Sequence, residues 1–400
     1  MTRYNFDKIT NRKGTNCLKY DFAVERGKPA DVLPLWVADM DFPVSEEITK
    51  SLHAAVEHGI YGYTQPKDAY YNAVMNWMER NHNWKTEREW IVKTPGVVFA
   101  LGAAVKAFTD PGDAILIQNP VYYPFTNIIR DNDRRVVDNT LIYEKMTGQS
   151  GDNGYRIDFE DFERKIEQEH IKLFILCNPH NPVGRVWTAE ELQKLGEICL
   201  RHHVIVVSDE IHNDFVYPGY EHTVFATVDP RFAEFTVTCT APSKTFNLAG
   251  LQISNIFIPN EKLRKAFQTE IDKTGYDEPN ALGIVACEAA YRAGEDWLDQ
   301  LRAYLLKNLN FLRNFLQEKI PQIHLVEPEG TYLVWLDCSE LGITGKELDQ
   351  FIVDKAGLWL DGGSMFGPSG AAFQRVNIAC PQATLELALN KLKAAVDNLE

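Results

Sequence analysis

The 400-residue sequence has no stretch approaching the roughly 18 consecutive apolar residues that a membrane-spanning helix needs, so no transmembrane segment is expected. Its first residues, MTRYNFDKIT, contain no apolar core of the secretory type, and a cytoplasmic location follows as the expectation. Positive charge is also short: 41 Lys and Arg stand against 56 Asp and Glu, a formal net charge of -15. A field of that sign repels phosphate, which argues against nucleic acid or an anionic membrane as partner and requires any anion site to be local. Cysteine is sparse and scattered. Cys17, Cys177, Cys199, Cys239, Cys287, Cys338 and Cys380 occur singly without CxxC spacing, so neither a disulfide framework nor a structural metal site is indicated. Internal repeats, low-complexity tracts and Pro/Gly/Ser-rich linkers are missing as well.

What is present is an ordinary globular composition, 45% hydrophobic and 24% charged, with length enough for two domains. SEEITKSLHAAVEH begins with Ser45 as a cap and places Ile48, Leu52 and Val56 on one helical face. From Ala114 onward, short apolar runs (AILIQNP, KLFILCNP, HVIVVSDE, FTVTCTAP, ISNIFIP) mostly alternate with helical stretches such as TAEELQKLGEICLRHH, which opens on a Thr188–Glu191 capping box. Continuous apolar strands alternating with helices predict a mostly parallel sheet covered on both faces, an α/β fold. After the helical stretch EDWLDQLRAYLLKNLNFLRNFLQEK, the runs TYLVWLDC, GLWLDGG and FQRVNIAC read as strands before the final helix ATLELALNKLKAAVDNLE. This predicts a large domain over 45–290 and a smaller α+β domain built from 1–44 and 291–400.

Ligands of open α/β sheets collect outside the carboxyl ends of the strands. FILCNPHNPVG ends at Asn178 and turns to Asn181 and Gly184, VIVVSDEIH ends at Asp209, and TVTCTAPSK breaks at Pro242 into a polar turn holding Lys244. Each has an ordinary explanation: Asn181 as a loop residue, Asp209 as a helix cap, Lys244 as a surface charge. Neither turn nor cap propensity requires an amide, a carboxylate and an amine on one rim. A lysine beside an acid and an amide suits a Schiff base to pyridoxal phosphate, with the acid keeping the pyridine nitrogen protonated.

At these motifs the sequence resembles the fold type I pyridoxal-phosphate enzymes of the aspartate aminotransferase superfamily, and more narrowly the cystathionine β-lyase group of MalY, PatB and cystalysin. The resemblance runs from LPLWVADMDFP to FQRVNIACP. It implies a mostly parallel seven-stranded sheet with helices on both faces, pyridoxal 5'-phosphate as cofactor, and a homodimer with shared active sites. It assigns Lys244 as Schiff-base residue and proton carrier, Asp209 to the pyridine nitrogen, and Asn181 to the phenolic oxygen. Tyr122 would stack on the ring, with core packing as its ordinary alternative. Gly96, Val97 and Val98 in TPGVVFAL, with Ser243, would hold the phosphate. Arg375 would grip the carboxylate of an amino-acid substrate as a bidentate pair. Tyr63, or Tyr61 in the same motif, would reach the neighbouring subunit's phosphate. Two positions depart from the broader superfamily: Gln252 replaces an arginine expected eight residues after the lysine, and His212 replaces a tyrosine three after the aspartate.

The resemblance therefore implies a carbon–sulfur β-lyase that removes a thiol from a cysteine thioether and yields pyruvate and ammonia. Aminotransferase activity shares the machinery up to removal of the Cα proton, and a protein that binds a regulator beside a secondary lyase activity is a third reading. The preferred thioether, and whether the product is homocysteine, hydrogen sulfide or methanethiol, have no signature in the sequence.

Overall fold

Alternation of apolar side chains to both sides of a buried strand requires cover on both faces, and the sheet has it. The computed structural model describes residues 4–145 and 153–399; residues 1–3 of the N-terminal segment and Glu400 of the last helix lie outside the described residues. Seven strands form the central sheet: β1 Ile91–Thr94, β2 Ala114–Ile117, β3 Arg135–Asp138, β4 Leu173–Cys177, β5 Ile205–Asp209, β6 Thr236–Thr240 and β7 Ser254–Phe257. Their order is β1-β7-β6-β5-β4-β2-β3. Only β7 runs against its neighbours β6 and β1; the other pairs are parallel. The five apolar runs read from the sequence are β2, β4, β5, β6 and β7. β1 (IVKT) and β3 (RVVD) escaped that reading because each is short and carries charge.

Strand β4 shows how the layers are held. Leu173, Ile175 and Cys177 pack with helix α1 (Val97–Phe108) on one face, while Phe174 and Leu176 pack with Leu192 and Leu195 of helix α2 (Ala189–Arg201) on the other. Each such fully buried side chain contributes about 1.5–3 kcal/mol, so one strand of this kind outweighs the few kcal/mol needed to bury a polar group at its end. Helix α2 begins with the capping box: Thr188 Oγ1 accepts the Glu191 N–H at 3.2 Å and Glu191 Oε2 accepts the Thr188 N–H at 2.9 Å.

A second, antiparallel sheet contains β8 His324–Val326, β9 Leu333–Asp337, β10 Asp361–Gly362 and β11 Phe373–Asn377 in the order β8-β9-β11-β10. The predicted strand GLWLDGG is divided: Leu358–Trp359 pairs in parallel with Leu33–Pro34, and Asp361–Gly362 pairs with β11. Helices over Glu295–Lys319 and Gln382–Val396 cover this sheet.

The helix Glu46–His58 starts at Ser45 as expected, with Ser45 Oγ accepting the Ile48 N–H at 3.3 Å. Its apolar face is not fully covered. Ile48 is buried, Leu52 half-buried, and Val56 is 50% exposed. Among the described residues no helix is long and apolar enough to cross a membrane.

Candidate active site

Asn178, Asp209 and Lys244 follow three adjacent parallel strands, so the sheet itself sets their spacing. Asn178 is absorbed by the turn: its Nδ2 donates to the Thr223 carbonyl at 3.2 Å and its Oδ1 accepts the Trp187 N–H at 3.2 Å. Asn181, three residues on, is buried and lines the cavity. Asp209 closes β5 and is buried, with Oδ1 accepting the Ile211 N–H at 3.2 Å. That bond orders its own turn; a turn, not a helix, follows it. Burial pushes the carboxyl up to about 7, against the opposing pull of the Ile211 N–H and the Lys244 charge.

The expected polar turn after β6 is a single helical turn, Pro242–Thr245. Proline in the first position suits such a turn because its missing N–H would have no partner there. Thr245 Oγ1 donates to Asp214 Oδ2 at 2.6 Å, and Asp214 Oδ1 also accepts Trp77 Nε1–H at 3.2 Å and lies 3.0 Å from His82 Nε2. Asp214 thus anchors the residue next to the lysine. Lys244 is half-buried, and its Nζ donates to the Ala38 carbonyl at 3.2 Å. Burial, followed by the charge of Arg375, brings the ammonium pKa down to about 8, although Asp39 and Asp209 oppose the shift.

The same cavity is lined by Tyr122, Ser243 and the 96–98 turn. Gly96 is the cap of helix α1, with an extended backbone and no capping side chain, and the space where its Cβ would stand is open. The first-turn N–H groups of α1 therefore have no capping side chain at a positive helix end, a ready anion cradle. Tyr122 packs edge-on to Phe125 at 5.9 Å, and its phenol pKa is raised by burial and by Tyr123. The open space is about 770 Å³ with its mouth and adjoining solvent included.

Arg375, on β11, is buried and reaches in from the second sheet. Its Nη1 donates to Asn181 Oδ1 at 3.0 Å, and its Nη2 donates to the Trp36 carbonyl at 3.0 Å and to Asp361. Phe366 lies under the guanidinium, 4.9 Å from ring centre to Cζ. Nε is buried without an acceptor among the described residues, which leaves a donor for an incoming carboxylate.

Tyr63 does not join this group. It is 95% exposed, while Tyr61 donates to the Val56 carbonyl at 3.3 Å. Gln252 is exposed at φ +51° and brings no cation to the cavity. His212 lines the cavity wall, buried and edge-on to Tyr332 at 5.9 Å, and burial pushes its pKa well down.

One feature had no residue-type signal. The strap 36–42 presents the Trp36 carbonyl to Arg375 and the Ala38 carbonyl to Lys244 and to the Tyr332 hydroxyl, the last at 2.9 Å. Asn247 pins it, accepting the Met40 N–H at 2.9 Å and donating to the Met40 and Phe42 carbonyls, both at 3.0 Å. Asp361, which fixes the guanidinium, was likewise not anticipated; it sits within the GLWLDGG run, read there only as strand.

Residues 30–392 match the aminotransferase class I and II family, and the chain belongs to that family. It is 46% identical over 392 residues to cystathionine beta-lyase PatB of Bacillus subtilis (strain 168), covering 98% of this chain and 100% of that one. Identity to the protein MalY of Escherichia coli (strain K12) is 31% over 385 residues, 96% of each chain. The crystal structure of cystalysin from Treponema denticola, which contains a pyridoxal 5'-phosphate cofactor, superposes with a TM-score of 0.94 at 38% identity, over 99% of this chain and 100% of that one.

Proposed function

We propose that the cavity holds pyridoxal 5'-phosphate and that the protein is a carbon–sulfur β-lyase, cleaving cystathionine or a related cysteine thioether to pyruvate, ammonia and a thiol. The observation that carries this reading is the meeting, in one cavity, of a half-buried amine with a lowered pKa, a buried carboxyl, and a helix start free of side-chain caps. The residues fit the group: the open space at Gly96 and the uncapped helix start supply what its phosphate needs, and the unpaired Nε of Arg375 is left for a substrate carboxylate.

When bound, the cofactor supplies an electrophilic carbonyl and a ring that accepts the electron pair left at the substrate Cα. Lys244 would hold the group through its neutral amine and would serve as the base for the Cα proton. Asp209 would hold a proton on the ring nitrogen, and that cationic partner would bring the carboxyl pKa down again. Asn181 spends Oδ1 on Arg375, which leaves Nδ2 to donate to the phenolic oxygen. The amides of 97 and 98, with Ser243, would hold the phosphate, and Tyr122 would cover one ring face. Arg375 orients the substrate carboxylate through Nε and one Nη. Ala38 and Tyr332 keep the amine aimed by way of a single shared carbonyl.

Two further readings belong here. The neighbouring exposed residues Val56, Ile60, Tyr61 and Tyr63 (50, 71, 61 and 95% exposed) make a surface suited to a second copy of the chain, with Tyr63 serving that copy's phosphate. The seven free cysteines, six of them buried, suit a reducing cytoplasm. The large and small domains are taken as 45–290 and as 1–44 with 291–400. Release of pyruvate from cystathionine with no keto acid added tests the lyase reading; turnover only after a keto acid is supplied would make the protein an aminotransferase.

A further inference from the structure

The buried Arg375 has a counterpart at the surface. Arg26 is exposed, and its guanidinium carbon lies 5.2 Å from the centre of the Trp36 ring. Trp36 in turn stacks on Trp359, with centroids 4.4 Å apart and planes at 14°, and its carbonyl is the one that accepts Arg375 Nη2. One residue therefore carries the buried cation on its main chain and the exposed cation on its indole face. The two arginines are in different states. Arg375 is engaged by Asp361, Asn181 and Trp36, whereas the Arg26 side chain forms no ion pair among the described residues. In a chain with 56 acidic and 41 basic groups, an arginine left without an acid is a free anion contact at low cost in competing partners.

Tyr123 links the surroundings of Arg26 to the cavity-lining Tyr122. Its ring is 5.6 Å from that of Tyr122 and 6.0 Å from Phe366, the residue beneath Arg375. Its phenol is held protonated by burial and by Asp361, while Arg375 and Arg26 both pull the other way, so it lies in the field of both cations.

We propose that Arg26 takes a carboxylate at the far end of the substrate, beyond sulfur, and so selects thioethers that carry a second acid group. This rests on the lyase reading above. A substrate whose first carboxylate is held at Arg375 would reach the cation on Trp36 by passing Tyr123, which neighbours both Tyr122 and Phe366. The Trp36 ring covers one guanidinium face and leaves the edges for a two-point bond to carboxylate. Arg26 binds and positions; it touches no reacting atom.

The test compares cystathionine, which has the far carboxylate, with S-methylcysteine, which lacks it. Arg26→Ala should lower the ratio of kcat/KM for the first over the second by about five- to tenfold, through KM, the scale of one charge-assisted hydrogen bond at a wet site. Arg26→Glu should lower it further. An unchanged ratio, including an equal fall for both substrates, overturns the proposal. Calorimetric binding of cystathionine to cofactor-loaded Lys244→Ala protein, with and without Arg26→Ala, decides the same point without turnover. A weaker Kd by a similar factor supports it and an equal Kd overturns it, even if no thioether releases pyruvate and the lyase reading itself fails.

Discussion

The two walls of the cavity are built by different means. The inner wall consists of side chains at the ends of parallel strands: Asp209, Asn181 and Lys244 stand where β5, β4 and β6 deliver them, on a sheet covered on both faces. The outer wall consists of the strap 36–42, which has no regular secondary structure, together with Arg375 and Asp361 from the second sheet. The inner wall places chemistry through residue identity, whereas the strap of the outer wall does so through main-chain carbonyls. The first should therefore break sharply when one side chain is changed, and the strap gradually, as its pins are removed.

The largest expected effect is on the inner wall. Lys244→Ala should lower turnover by at least about 10⁴-fold, since both the attachment point and the base disappear; steady-state pyruvate release checks this. Asp209→Ala should follow at about 10²–10³-fold, the scale of losing one buried electrostatic partner of the reacting system. Near wild-type activity in the folded variant would assign the ring proton to another group. Arg375→Lys, at the junction of the walls, should cost about 10- to 100-fold in kcat/KM for every amino-acid substrate. An effect confined to one thioether would place the arginine at the far end of the pocket instead. Asn247→Ala removes three hydrogen bonds from the strap and nothing from the cavity lining. It should lower stability by about 1–3 kcal/mol in denaturant titration and turnover by only a few-fold.

The two walls also meet in the ionisation of Lys244. Only the neutral amine attacks a carbonyl, so recapture of cofactor by the apoprotein should speed up as pH rises, with a half-point near 8 set by burial and Arg375. Arg375→Gln removes the cation, and the half-point should move upward. Stopped-flow absorbance at a series of pH values measures both; a downward move would mean that Arg375 does not act on the amine.

Much of the sheet was legible because strands such as AILI and LFILC are continuous apolar runs, which only a doubly covered sheet accommodates. β1 and β3 were not, since four residues with a Lys or an Arg among them give no such signal. Lys244, Asp209 and Asn181 were singled out because turn and cap propensity do not require an amine, a carboxylate and an amide on one rim, and all three line the same cavity. The Trp36 and Ala38 carbonyls were beyond reach, as every residue carries one and only the fold decides which face a ligand. Asp214 was missed for a related reason: its carboxylate works on Thr245 through the core, across 31 residues of chain.

The central claim, that both walls converge on one amine, is tested most directly by where the cofactor is attached. Reduction of the loaded protein with borohydride, digestion and peptide mass analysis should place the added mass on the peptide containing Lys244, with none on any other lysine. Mass on a different lysine, or a Lys244→Ala protein that still retains a borohydride-fixed cofactor, would contradict the account.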